Sequence, residues 1–364
     1  MSTVRILGGG LSGLATAVLV AQRGTRVEVR DRRRGGGGRF TGGFQILENG
    51  SCGQDVLEEL EQMALAPDCE LTPLHEAVLL DADRRRWEVR SSKPYAYLVR
   101  RGAGPGTVDH WLRSQAEASG VSLETGSETS SWTADVHATG PRYADGVARE
   151  VVFKTSHPNL MAVLFDPRLT PTGYAYLFVR EGFGTMGAAQ VRRLAELRRN
   201  AERAFAILLE EFPMPLENAH EHGQFMNFAM PGHLSSSGRW YVGEAAGVQE
   251  FLFGLGNRLG LRSAALVAEA IAGSGWDQGR FREGLVRPMT VSILGRAAFE
   301  LAGPSSVGRL CAWLAGADFR ERLIALQRPS AIRRFMARAV MLVWRHRGPS
   351  PRLPVARWRR REER

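Results

Sequence analysis

Val4-Arg5-Ile6-Leu7-Gly8-Gly9-Gly10-Leu11-Ser12-Gly13 decides the fold: four residues of strand character run straight into a GxGxxG turn, and apolar residues at helical spacing follow it. In such a turn Gly8 lets the chain reverse tightly, Gly10 lets the backbone approach a pyrophosphate, and Gly13 lets helix and strand pack closely. Leu11 and Ser12 lead into a helix whose unpaired amides and dipole favour negative charge. Leu14, Ala17, Val18 and Ala21 continue the helical spacing, Gly24 stops it, and Thr25 to Arg30 form a second strand. Asp31 follows Gly8 by 23 residues, where an acidic side chain accepts hydrogen bonds from both hydroxyls of an unphosphorylated ribose, as in FAD or NAD.

Working outward, a long loop rich in Gly and Arg (Arg32 to Gly43) precedes a predicted helix from Gln54 to Met63. Residues 74–100 alternate as strands, a helix is predicted over 107–119, and DVHATG at 135–140 reads as a strand and turn. A β-rich stretch follows, then a helix predicted from Gln190 to Phe212, and WYVGEAAG at 240–247 leads to an apolar helix from Gly256 to Ala272. The expected class is α/β: a Rossmann-like nucleotide-binding domain of residues 1–75, 97–142 and 236–275, interrupted by an antiparallel β-rich substrate domain of 76–96 and 143–235. A C-terminal helical region (276–347) and a basic mobile tail (348–364) complete the chain.

At 364 residues the chain exceeds what one core usually supports, and 44% hydrophobic with 24% charged residues fits a folded globular protein. The net charge of +10 has one source: residues 328–364 hold twelve Arg against Glu362 and Glu363, leaving 36 of each sign before them. A basic surface spread over the fold is excluded, and no nucleic-acid partner is expected. Cys52, Cys69 and Cys311 lie far apart without metal-ligand spacing, so neither a metal site nor a disulfide framework is expected. The immediate strand at Val4 gives no signal-peptide pattern, no apolar run reaches the length of a membrane span, and a cytoplasmic location is expected. His220, His222 and His233 show no catalytic or metal-binding spacing and read as ordinary polar residues.

Gly243-Glu244-Ala245-Ala246-Gly247, followed by GLGNRLG from Gly254, resembles the GDAAG motif and following helix of flavoproteins of the para-hydroxybenzoate hydroxylase type. The resemblance implies FAD, with Glu244 near the ribityl–pyrophosphate region and the amides of Gly254, Gly256 and Asn257 facing the flavin pyrimidine. Glu244 replaces the usual Asp, and Phe251 to Phe253 stand where a proline is common. Arg101 resembles the FAD-contacting arginine of this group, and Gly37-Gly38-Arg39 the loop that crosses the cofactor. Thr139 replaces the Asp of the DG motif of flavin hydroxylases, which disfavours NADPH-driven aromatic hydroxylation.

Pro171-Thr172-Gly173-Tyr174-Ala175-Tyr176-Leu177-Phe178 resembles the YxWxFP motif of the geranylgeranyl reductase-like branch, with Tyr176 for Trp and Val179 for the final Pro. The resemblance implies that Tyr174, Tyr176 and Phe178 line an apolar tunnel over the flavin, and hence a hydrophobic small-molecule substrate. The expected function is FAD-dependent hydride transfer to or from a carbon–carbon double bond of a hydrophobic, isoprenoid-like molecule. Direction and electron donor (NADPH, ferredoxin or another) stay open, and a flavin monooxygenase or a non-catalytic prenyl-lipid carrier are the rivals. Finally, Ser330 to Arg347 places Ile332, Met336, Ala339, Leu342 and Val343 opposite Arg334, Arg338 and Arg345. Such a helix either lies on an anionic membrane surface or docks on the protein with a solvated outer face.

Overall fold

A computed structural model describes residues 3–34, 40–127, 132–170, 172–191, 193–328 and 330–347, with side chains as far as Met341 in the last helix. The chain opens with β1 (Val4–Leu7), α1 (Leu11–Ala21), β2 (Val27–Asp31), β3 (Phe44–Glu48), α2 (Val56–Gln62), β4 (Leu71–Leu74), β5 (Glu76–Leu80), β6 (Arg86–Arg90), β7 (Ala96–Arg100), α3 (Val108–Ala118) and β8 (Ser122–Thr125). It continues through β9 (Val136–His137), β10 (Gly146–Lys154), β11 (Leu160–Leu164), β12 (Tyr174–Arg180), β13 (Phe183–Gln190), α4 (Leu197–Glu211), β14 (Glu217–Met226), β15 (Ser235–Ser236) and β16 (Arg239–Tyr241). The remainder is helical: α5 (Asn257–Ile271), α6 (Gln278–Phe281), α7 (Arg287–Leu301), α8 (Pro304–Ala315), α9 (Phe319–Gln327) and α10 (Ala331–Arg347).

Three sheets result. The first runs β15-β16-β9-β1-β2-β8, with β1 parallel to both β2 and β9, the arrangement of a doubly wound nucleotide-binding sheet. Helix α1 packs between α3 and α5 and against the sheet, so its Ala15, Ala17, Val18, Leu19 and Val20 are all fully buried. A helix covered on every side is apolar all round, which is why its sequence shows little amphipathicity. A β-carbon at Gly13 would lie 2.0 Å from the Gly8 carbonyl oxygen, so helix and turn touch only because that position is glycine.

The second sheet runs β14-β10-β13-β12-β11-β5-β6, antiparallel except where β11 meets β5. On β12 the pleat sorts the side chains: Ala175, Leu177 and Val179 join the core beneath α4, and Tyr174, Tyr176 and Phe178 face the other way. The small third sheet, β3-β7-β4, is antiparallel.

Two expectations need correction. Gln190 ends β13 instead of starting a helix: its amide donates to the Arg193 carbonyl at 2.6 Å and accepts from Asn200 at 3.2 Å, tying the strand end to α4 across a left-handed Arg193. The second concerns α10, which docks on α7 through Ala337, Val340 and Met341. The arc read as apolar from the sequence is the one left in solvent, with Ile332, Phe335 and Met336 exposed by 73%, 74% and 52%. The side chains of Leu342, Val343 and Arg345 lie outside the described residues.

Gly13→Ala should lower the unfolding free energy in urea by about 2 kcal/mol or more, since the contact it strains is backbone and cannot relax by a rotamer change. Gly53, whose β-carbon would meet nothing within 4 Å, serves as the control. Equal stabilities for Gly13→Ala and Gly53→Ala would refute the close-packing account.

Candidate functional site

A cavity of about 1000 Å³ reaches from the β1–α1 turn, past the N-terminus of α5, to the aromatic face of β12. At the β1–α1 end Gly8 adopts φ +109°, and a β-carbon there would lie 2.4 Å from the Ala138 carbonyl oxygen. Gly10, the N-cap of α1, is the opposite case: a β-carbon would meet nothing within 4 Å, so this backbone is open to a ligand. Leu11, Ser12 and Thr139 line the same end. Asp31 lines it too, with both carboxylate oxygens accepting backbone bonds, from Gly9 and Arg33, each at 2.7 Å. The carboxylate is thereby oriented, and each oxygen keeps a lone pair for a further donor.

The GEAAG segment meets this turn directly. Gly243 (φ +57°) could carry no β-carbon without coming 2.4 Å from Ser12 Oγ, and a β-carbon on Gly260 would come 2.7 Å from the same atom. The two glycine motifs, far apart in sequence, thus close on one serine. Glu244 lines the cavity, and its backbone carbonyl accepts from Asn227 at 3.2 Å. Beyond it Gly254 (φ +73°), Gly256 and Asn257 present the first turn of α5 to the cavity, and Asn257 Nδ2 anchors that turn by donating to the Ile46 carbonyl at 3.0 Å.

Arg101 lines the cavity but is not a free cation. It is buried, forms a two-pronged ion pair with Asp109 at 2.8 Å for each prong, and donates to Gln45 at 2.6 Å. The pairing ties the end of β7 to α3 and holds the guanidinium in place on the cavity wall, so any cofactor contact there is made by a guanidinium already fixed. Arg39 and Pro171 lie outside the described residues.

Tyr174, Tyr176 and Phe178 do come together on the cavity wall: the rings of Tyr176 and Phe178 stack at 4.7 Å, and Tyr174 lies 6.0 Å from Tyr176. The sheet register adds residues that the sequence reading passed over. Tyr176 pairs with Gly187, Gly187 with Glu150 and Glu150 with His222, a single row across β12, β13, β10 and β14. A β-carbon on Gly187 would fall 2.2 Å from Tyr176 Cζ, so the glycine lets the ring lie across β13 and its hydroxyl donate to Glu150 Oε1. His222 Nε2 stands 3.3 Å from Glu150 Oε2, at ion-pair distance but without hydrogen-bond geometry. His222 is therefore not the ordinary polar residue that its sequence context suggests. The available signal was Glu150 itself, an acid between Ala148 and Val152 on the inward face of an apolar strand.

Cys52 lies away from this cavity, beside a second one of about 450 Å³, where its Sγ is 3.3 Å from Arg258 Nη2. Arg258 and Arg262 there clasp the buried Glu59, and both arginines hold its carboxyl below the usual range against the opposing effect of burial.

The loop before α5 is set by Glu250, also passed over in the sequence, whose buried carboxylate accepts from the amides of Leu252 at 2.7 Å and Phe253 at 2.6 Å. Burial dominates, helped by Glu48 and opposed by those amides and by Arg296, and raises its pKa to about 7 from 4.5. The folded state then binds more protons than the unfolded one between those values, so this group's contribution to stability falls as pH rises from about 4.5 to 7. Glu250→Gln should abolish that fall, worth roughly 3 kcal/mol at most. The check is urea denaturation of both proteins at pH 5 and pH 8, and identical pH dependence would contradict it.

Residues 6–46 match the family model of the NAD(P)-binding Rossmann-like domain. A comparison with curated proteins found no match. Among solved structures, the chain is similar to a geranylgeranyl bacteriochlorophyll reductase-like protein from Thermoplasma acidophilum (15% identity, TM-score 0.65, covering 95% of this chain and 99% of that one). It is also similar to p-nitrophenol 4-monooxygenase from Pseudomonas putida (16%, 0.62, 90% and 98%). A third likeness is to a flavin-dependent brominase (14%, 0.65, 95% and 100%). At these identities the likeness is one of fold: a Rossmann-like domain joined to an antiparallel sheet.

Proposed function

We propose that the protein is an FAD-dependent oxidoreductase that moves hydride between flavin and a carbon–carbon double bond of a hydrophobic, isoprenoid-like substrate. The observation that carries this reading is the continuity of one cavity from the open Gly10 backbone and Asp31 to the aromatic face of β12. The Gly8–Gly13 turn would hold the pyrophosphate, Asp31 the ribose and Glu244 the ribityl region, while the α5 N-terminus would stabilise negative charge on the ring. Flavin, when bound, supplies the hydride chemistry. The residues of this chain orient the substrate on Tyr174, Tyr176 and Phe178 and exclude water there. The likeness to a monooxygenase supports flavin-dependent oxygenation as a second reading, disfavoured by Thr139 in place of the hydroxylases' Asp.

Purified protein should be yellow, and acid precipitation should release FAD; a colourless protein that takes up no added FAD would overturn the assignment and favour a lipid carrier. Gly10→Val should fold as the parent does, because its β-carbon enters open space, yet lose flavin by about ten-fold or more. Full flavin occupancy in that variant would refute the phosphate-binding role.

The same reading includes an approach to anionic membranes through α10. No helix among the described residues is long and apolar enough to cross a membrane. The helix shows Ile332, Phe335 and Met336 to solvent within the segment that carries the whole net charge of +10. Exposed apolar side chains flanked by arginines suit insertion into a bilayer that also attracts the charge. The full chain should co-sediment with phosphatidylglycerol vesicles and part of that binding should survive raised salt. In the triple variant Ile332→Ser/Phe335→Ser/Met336→Ser the salt-resistant part should vanish. Equal sedimentation of parent and variant would remove the membrane proposal.

A further inference from the structure

The cavity wall over β12 is aromatic, but its polar atoms share one property. The single hydroxyl hydrogen of Tyr174 is donated to the Phe253 carbonyl at 2.6 Å, and that of Tyr176 is donated to Glu150. Burial, reinforced by the neighbouring carboxylates, keeps both phenols protonated well above their ordinary range, so these hydrogens stay where they are. A phenol oxygen that has donated its hydrogen can only accept, and a carboxylate is acceptor-only, with two lone pairs on each oxygen. Tyr176 Oη and the Glu150 carboxylate in this row, and Tyr174 Oη beside it, therefore offer acceptors to the cavity, and the row's donor, the His222 ring, stands 3.3 Å from Glu150 Oε2 at the far end of the row. Glu150 is 5% exposed, set among Ala148, Val152 and the β12 rings with His222 at 3.3 Å and the Arg101 charge already paired to Asp109, so a second negative charge brought beside it would be costly.

We propose that the Tyr176–Glu150 row is the specificity-determining polar anchor of the substrate chamber, and that it selects an apolar molecule carrying a hydrogen-bond donor, a hydroxyl or an ammonium, while rejecting carboxylates and diphosphates. The inference rests on the reading of this chamber as the substrate site, and it narrows the substrate class from any hydrophobic molecule to a neutral or cationic one. Gly187 is the positioning residue: without a β-carbon there, Tyr176 reaches across β13 to hold the carboxylate.

The test is calorimetric titration of the full-length protein as purified with three probes that share one hydrocarbon chain: geraniol, geranylamine and geranyl diphosphate. Geraniol and geranylamine should each bind about ten-fold or more tightly than the diphosphate, because buried acceptors reward a donor and an anion leaves them unpaired. Glu150→Gln replaces an acceptor-only group with one that also donates, so geranylamine should lose about ten-fold in affinity and the diphosphate should gain. Diphosphate binding as tight as geraniol in the parent, no binding of any probe, or an unchanged order in the folded variant would each overturn the proposal. Should Glu150→Gln fail to fold, the parent's order of affinities decides alone. Absence of FAD from the protein would defeat the flavin assignment, whereas the order of affinities is read without reference to flavin, so the two failures are distinguishable.

Discussion

Everything in this molecule is arranged around the close approach of backbone to backbone at the first turn of α1. Gly8 presses on the Ala138 carbonyl, Gly13 on the Gly8 carbonyl, and Ser12 is held between Gly243 and Gly260. The backbone contacts at Gly8 and Gly13 are closer than any β-carbon permits, and a β-carbon at Gly243 or Gly260 would displace the Ser12 hydroxyl, so glycines from two distant parts of the sequence meet at one turn. The result is that β1, β9, α1 and α5 share one small region, and the open amides of two helices look into the same cavity. Moving either helix outward by the width of a methyl group would part the two ends of that cavity.

The β12 end of the cavity is governed by a different constraint, the two-residue period of a sheet. Four strands in register set Tyr176, Gly187, Glu150 and His222 in one line, and the alternation that sends these residues to the cavity sends Leu177, Met186 and Val151 to the core under α4. A polar group on such a row is held by its neighbours on adjacent strands, which is why Glu150 can sit buried without a lysine or arginine salt bridge among the described contacts.

The parts legible in the sequence are those whose chemistry is local. The glycine turns, Asp31 and the alternating β12 aromatics each occupy a few consecutive residues, and their spacing alone carries the geometry. Glu150, His222 and Gly187 could not be joined in the same way, because strand register is fixed by long-range pairing and β10 and β14 are separated by three strands and a helix. Arg101 illustrates the converse: its position beside the cavity was readable, but not its two-pronged pairing with Asp109 in the first turn of α3, which fixes the guanidinium in place. The outward apolar face of α10 was ambiguous for a physical reason, since amphipathicity shows that a helix has two faces and not which one its neighbour covers.

The route of the chain through the first sheet has a consequence for how the protein is made. β1, β2 and α1 are synthesised more than 200 residues before α5, yet α1 is covered by α5, and β9 gains its outer neighbour only from β16 at Arg239–Tyr241. The nucleotide fold therefore cannot close until about residue Ile271 has left the ribosome. Until then a mostly apolar helix waits without its partner, and any fragment ending before α5 leaves that apolar surface uncovered, the condition under which incompletely folded chains associate.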